Sequence, residues 1–225
     1  MKKYELTAEF IEKWGKKLFR IKALIGFGSV EAGELGGYVE KEDNLAQNGN
    51  AWVFDDAEVY GNARVYGNAR VCGNAEVYGN AWVYGNAWVF DDAWVFDDAR
   101  VYDDAEVYGN ARVYGNAEVY GNARVCGNAE VYGNARVYDD ADYLLIGRIG
   151  SRFSFTTFFK NKDKGITVSC GCFLGTIAEF RAKVTDTHGN NKHAKMYNLA
   201  ADMAELQILG EEHFDKLNTN KSEPF

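Results

Sequence analysis

Fifteen consecutive hexapeptides run from Asn50 to Asp139, each reading Asn/Asp-Ala-(Glu/Arg/Trp)-Val-(Tyr/Phe/Cys)-(Gly/Asp). Ala returns every six residues from Ala51 to Ala135, and Val from Val53 to Val137. So short a period leaves no room for a helix inside a repeat. It specifies a solenoid, in which each unit buries its apolar face only against its neighbours. Within a unit the alternation of a half-buried strand puts Ala and Val on one side, where a narrow interior suits them, and the variable and aromatic residues on the other. Gly-Asn or Asp-Asp turns the chain between units, because Gly and Asn tolerate positive φ and Asp and Asn bond their own backbone.

The charges set the number of units per coil. The variable positions read Trp52, Glu58, Arg64, Arg70, Glu76, Trp82, Trp88, Trp94, Arg100, Glu106, Arg112, Glu118, Arg124, Glu130 and Arg136. Stacked residues lie about 4.8 Å apart, so like charges in vertical register are disfavoured. Three units per coil leave one such stack, Glu58 over Glu76, whereas two units leave five and four leave three. The expected coil therefore has eighteen residues. It places Arg70 between Trp52 and Trp88, and Trp82 between Arg64 and Arg100, as cation–π ladders. Arg100, Glu118 and Arg136 alternate in charge on a further face.

The repeat Val-Tyr-Gly-Asn-Ala-Arg resembles the hexapeptide repeat of left-handed parallel β-helices. That resemblance implies a mainly β fold, a triangular prism of about five full coils, against the usual right-handed crossover. The lead-in from Leu18-Phe19-Arg20-Ile21-Lys22-Ala23-Leu24 to Gly36-Gly37-Tyr38-Val39 is similar to the start of bacterial hexapeptide-repeat proteins labelled transferases, and to phage-encoded chains. Enzymes of that family are implied to use a His base beside the coils and a coenzyme A thioester along the prism, and to form trimers packed side by side.

The expected domains are an N-terminal cap (1–43), the solenoid (44–141) and a small C-terminal α+β domain (142–225). In the cap, Lys3–Thr7 and Leu18–Leu24 read as strands, with a helical turn or loop over Ala8–Gly15. Asn44 to Gly49 fits the repeat frame but loses its Ala and Val, as a terminal repeat does. After Ala141, strands are expected at Tyr143–Ile146, Phe153–Phe159 and Ile166–Cys170, the last two joined as a hairpin. Thr176 and Glu179 form a capping box for a helix reaching about Thr187. A second helix is expected near Lys192–Leu209, burying Tyr197, Leu199, Ala200, Met203, Leu206 and Leu209. The tail from Asn218 to Phe225 reads as loose.

Residues 50–139 hold six Arg against five Glu and nine Asp, which accounts for all of the chain's net charge of −8. A surface of that sign disfavours direct nucleic-acid binding. The start of the chain has no apolar leader, and no apolar run spans a membrane, so a bacterial cytoplasm is the expected location, with the four Cys reduced. Cys72 and Cys126, three coils apart, are too distant for a disulfide.

Four groups of residues are candidates for function. The only His residues, His188, His193 and His213, lie outside the repeats, so the coils offer no base near neutrality for an acyltransferase. Cys170, Cys172, His188 and His193 have the composition of a zinc site, with both thiols on one face of a strand, set against buried cysteines and an ordinary helix end. Neither metal nor cofactor is expected. Asp91, Asp92, Asp97, Asp98, Asp103 and Asp104 ring one coil as three acidic corners, read as solvated turns. The outward aromatics Trp52, Trp82, Trp88 and Trp94, with the stack Tyr66, Tyr84, Tyr102, Tyr120 and Tyr138, form more apolar surface than a soluble monomer usually exposes.

The function read from these features is non-enzymatic. The chain is a binding or scaffolding solenoid that self-associates, as a trimer first, or docks a host protein, with specificity in the C-terminal domain. Two alternatives stand beside it. One is a phage inhibitor of a host system, acting as an acidic nucleic-acid mimic or as a sponge for a nucleotide signal. The other is a hexapeptide-repeat acyltransferase.

Overall fold

A computed structural model describes residues 2–214, which divide into two compact units between Asn134 and Ala135. The expected loose tail, Asn218–Phe225, lies outside the described residues. The first unit is a three-sided parallel β-solenoid with eighteen residues per turn. One face stacks strands at Tyr38, Glu58, Glu76, Trp94, Arg112 and Glu130, six layers in all. A second stacks Trp52, Arg70, Trp88, Glu106 and Arg124. The third stacks Arg64, Trp82, Arg100 and Glu118. The charge-derived register is the observed one.

Each repeat contributes a strand of only two residues, the variable residue and Val. The Ala and Val of every repeat are excluded from solvent. At the corners the Gly residues take φ of 66–73°, and Asp55, Asp91, Asp97 and Asp103 replace Gly at φ of 52–59°. Asp tolerates this region better than most residues with a Cβ.

The cap departs from expectation in two places. Tyr4–Lys13 is one continuous strand, with no helical turn, and pairs antiparallel with Lys16–Ala23. Trp14 and Gly15 close this hairpin with φ of 51° and 75°, the signature of a type I′ turn. Lys16–Ala23 in turn pairs with Leu35–Val39, which enters the solenoid parallel to Glu58–Val59. Gly36 and Gly37 are required here. A Cβ on Gly36 would lie 2.7 Å from the Trp52 ring, and one on Gly37 would lie 2.4 Å from the Ala57 carbonyl. The terminal repeat is also out of frame. Leu45 bridges to Val65 rather than standing over Ala63, because two residues are inserted before Asn50. One of them, Gln47, accepts hydrogen bonds from the Lys3 and Tyr4 amides at 2.8 and 3.4 Å and ties the first strand down.

In the second unit, strands Tyr143–Ile149, Ser154–Lys160, Ile166–Cys170 and Phe173–Thr176 make an antiparallel meander. Helices α1 (Ile177–His188) and α2 (Lys192–Leu209) pack on it around Phe158, Val168, Phe180, Tyr197 and Ala201. The capping box is formed: the Glu179 amide donates to Thr176 Oγ1 at 3.2 Å, and Glu179 Oε2 accepts from the Thr176 amide at 2.8 Å. The buried side of α2 is the expected one only in part: Tyr197 and Ala200 are buried and Leu209 packs against the core. Ala194, Tyr197, Ala200, Ala201, Ala204 and Ile208 face inward, while Leu199, Met203 and Leu206 are exposed. Small Ala side chains let the helix approach the sheet closely around Tyr197 and Ile208, and Leu199, Met203 and Leu206 are left outside.

Candidate functional site

The outward aromatics follow directly from the repeat. Each ring sits one position after the buried Val and points away from the core, so rings in successive coils meet face to face. Tyr66, Tyr84, Tyr102 and Tyr120 stack with centroids 4.8–5.0 Å apart and planes within 9°. Tyr60, Tyr78, Phe96, Tyr114 and Tyr132 form a second ladder at 4.6–5.0 Å. Tyr138, the expected fifth member of the first stack, belongs to the second compact unit and is exposed.

The four Trp residues differ. Trp52 is fully buried and is not a surface group. Tyr4 and Phe27 of the cap meet it edge-on at 6.0 and 5.3 Å, and Gly36 lies against its ring. Trp52 and Trp88 do flank Arg70 in register, but the cation–π contact is with Trp88, at 4.9 Å. Trp82 lies between Arg64 and Arg100, at 6.0 and 5.3 Å. Arg112 covers Trp94 at 4.9 Å. Trp82 and Trp88 keep 37 % and 41 % of their surface exposed, one on each of two faces. Trp94 is half-buried on the third.

At the first coil the Tyr66 ladder ends in an open cleft of about 780 Å³, lined by Glu42, Asp43, Leu45, Arg64, Tyr66 and Trp82 among others. Ala46 follows Leu45 where a ring would otherwise cover Tyr66. Nothing in the repeat pattern announces this cleft, since it arises where the frame breaks.

The lone like-charge stack is resolved by the cap. Lys13 Nζ lies 2.5 Å from Glu58 Oε2 and 2.9 Å from Glu76 Oε1. Burial alone would lower the Lys13 pKa, but its hydrogen bonds and charge pairing with Glu58 and Glu76 together raise it. The opposite balance holds at Lys3, which is almost wholly buried. Its ammonium donates to the Ala51 carbonyl at 2.9 Å and faces the Phe27 ring, and burial lowers its pKa to about 8.

The acidic corners are built into amide ladders. Asn74, Asn80 and Asn86 donate to Asp92, Asp98 and Asp104 at 2.9–3.0 Å. Asp91, Asp97 and Asp103 accept from the Gly109, Gly115 and Gly121 amides at 3.2–3.4 Å. The carboxylates stand at three separate corners and do not converge.

In the second unit the strand ends at Cys170, and Gly171-Cys172 form a two-residue turn to Phe173. The two thiols therefore do not share a strand face as expected. Cys170, Cys172 and His188 line a small pocket of about 200 Å³ with Arg152 and Tyr197, while the His193 ring lies 5.8 Å from that of His188. Among the described residues no group of three or more His, Cys, Asp or Glu is placed to hold a metal ion. Cys72 is held well above the thiol range, at about 11, by burial first and then by Asp55 and Asp91.

The sequence pattern did not single out Trp14. It is 83 % exposed at the hairpin tip, in a conformation that costs a residue with a Cβ about 1–2 kcal/mol. Its only signal in the sequence is the following Gly15 between two runs of strand-forming residues.

No curated protein matches the chain. A family model described as the YdcK beta solenoid repeat matches residues 57–73, 69–85 and 105–121, all within the coils whose aromatic and charged ladders are described above.

Proposed function

We propose that the chain is a non-enzymatic assembly module whose solenoid associates with further copies of itself through its outward aromatic faces, with a trimer as the first product. The observation that carries this is the exposure of Trp82 and Trp88, whose large rings are held in fixed poses by stacked Arg side chains yet remain open to water. A rigid, pre-positioned Trp loses little entropy on burial and commonly dominates an interface. Three similar faces also suit a closed symmetric assembly.

Sedimentation velocity of Trp82→Ala and Trp88→Ala against the parent chain tests this, since outward side chains add little to the Ala/Val core. Loss of an anchor worth about 2 kcal/mol weakens assembly roughly 30-fold while the far-ultraviolet circular dichroism stays unchanged. Unchanged assembly in both variants overturns the reading.

A second reading is favoured by the ring of six Asp carboxylates on one coil, a surface that would attract a basic partner. That binding would weaken steeply with salt, because exposed charges are screened within about 8 Å at physiological ionic strength. Salt-independent capture of a partner would reject it.

A further inference from the structure

Helix α2 leaves its larger apolar residues in water. Met196, Leu199, Met203 and Leu206 are 40 %, 62 %, 57 % and 45 % exposed. Their spacing of three, four and three residues sets them in one stripe, the pattern of a seam between two helices. A single exposed Leu needs no explanation, but four in a line form a patch that another surface covers.

The charges on the helix say which surface. Asp202 and Glu205 are both paired with Arg181 within the same copy, at 2.8 and 2.7 Å. Left exposed are Lys192 and Lys195 in the first turn, and Glu211 and Glu212 just past Gly210. No acidic residue lies in the first turn and no basic one in the last. This polarity runs against the helix dipole, which prefers anions at the N-terminus and cations at the C-terminus. An isolated helix gains nothing from it. A second copy laid antiparallel reverses the penalty, because each lysine end then meets the partner's acidic, electronegative end.

We propose that α2 forms an antiparallel two-helix seam with α2 of a second copy, about a two-fold axis near Ala201. Met196 then meets the partner's Leu206, Leu199 meets the partner's Met203, and Lys192 lies beside the partner's Glu211. Such a contact is isologous, so one patch serves both chains. It is separate from the solenoid faces and does not rest on their association.

The test mixes two differently tagged full-length chains, one carrying Met196→Cys and the other Leu206→Cys, under mild oxidation, with the parent chain as the control for the native cysteines. The antiparallel seam predicts a mixed disulfide between the two chains. It predicts little Met196→Cys homodimer, since those positions lie about 15 Å apart along the axis at 1.5 Å per residue. Adding Leu199→Glu and Met203→Glu, both on the exposed stripe, abolishes the mixed disulfide, whereas Trp82→Ala and Trp88→Ala leave it in place. A predominant Met196→Cys homodimer means parallel helices and overturns the proposal. So does the absence of any crosslink beyond the control, which would assign the stripe to a different protein.

Discussion

Replacing Lys13 with Met isolates the one place where the repeat conflicts with itself. The substitution keeps the aliphatic stem but removes the ammonium that bridges Glu58 and Glu76 at 2.5 and 2.9 Å. The two carboxylates are then left one coil apart, at about 4.8 Å. Their repulsion is about 3.5 kcal/mol at an effective dielectric constant near 20, and about 1 kcal/mol in bulk water. The Lys13 side chain is 22 % exposed and the two Glu side chains 15 % and 14 %, so the cost falls between these limits. A loss of about 2 kcal/mol is expected. Because solenoids open from their ends, it should appear first in the hydrogen exchange of the Tyr4–Lys13 and Lys16–Ala23 amides and of the first coils. Lys13→Met combined with Glu58→Gln removes the repulsion and should recover at least half of the loss, a coupling that only a double-mutant cycle resolves. Strictly additive effects, or a Lys13→Met cost below about 0.5 kcal/mol, would refute the bridge as the element that lets cap and rod coexist.

Other outcomes follow from single groups. The Lys3 pKa is lowered by burial to about 8, against 10.5 for an ordinary lysine, so the unfolded chain holds more protons between these values. Stability should therefore rise from pH 8 toward pH 10, by at most about 1.4 kcal/mol per pH unit. Lys3→Met should flatten that rise in urea titrations, and an unchanged slope would discount the buried ammonium. Trp14→Asn supplies a residue suited to φ near 51° and should stabilise the hairpin by about 1 kcal/mol in exchange protection; destabilisation would mean the ring has a hidden intramolecular role. Asp cannot donate to the coil below, so Asp92→Asn, Asp98→Asn and Asp104→Asn together should extend the amide ladders and raise the melting temperature, whereas a fall would show that the carboxylates stabilise the corners.

The periodic part of the molecule was legible because its constraints are local and repeated. A like-charge count over the variable positions is enough to set eighteen residues per coil, and the Thr176–Glu179 pair marks the start of α1. What escaped the reading depends on contacts distant in sequence. Nothing in the repeat distinguishes Trp52 from Trp88, yet Tyr4, Phe27 and Gly36 bury the first. The cap hairpin was obscured by Trp14, an unusual occupant of a type I′ turn. In α2, apolar residues lie on most sides of the helix, so periodicity could not choose between the Ala side and the Leu/Met side. Packing on the sheet makes that choice, admitting the Ala residues together with Tyr197 and Ile208. The Cys170–Cys172 spacing looked like a shared strand face only because the turn at Gly171 was not anticipated.

Sedimentation equilibrium of a Leu199→Glu/Met203→Glu variant at tens of micromolar removes the α2 seam and leaves the solenoid faces as the route to assembly. Solenoid self-association predicts a mass about three times that of the 25.2 kDa chain, falling toward one chain when Trp88→Ala is added. A single-chain mass of 25.2 kDa before that substitution, with Trp82 and Trp88 freely quenched by acrylamide, contradicts it.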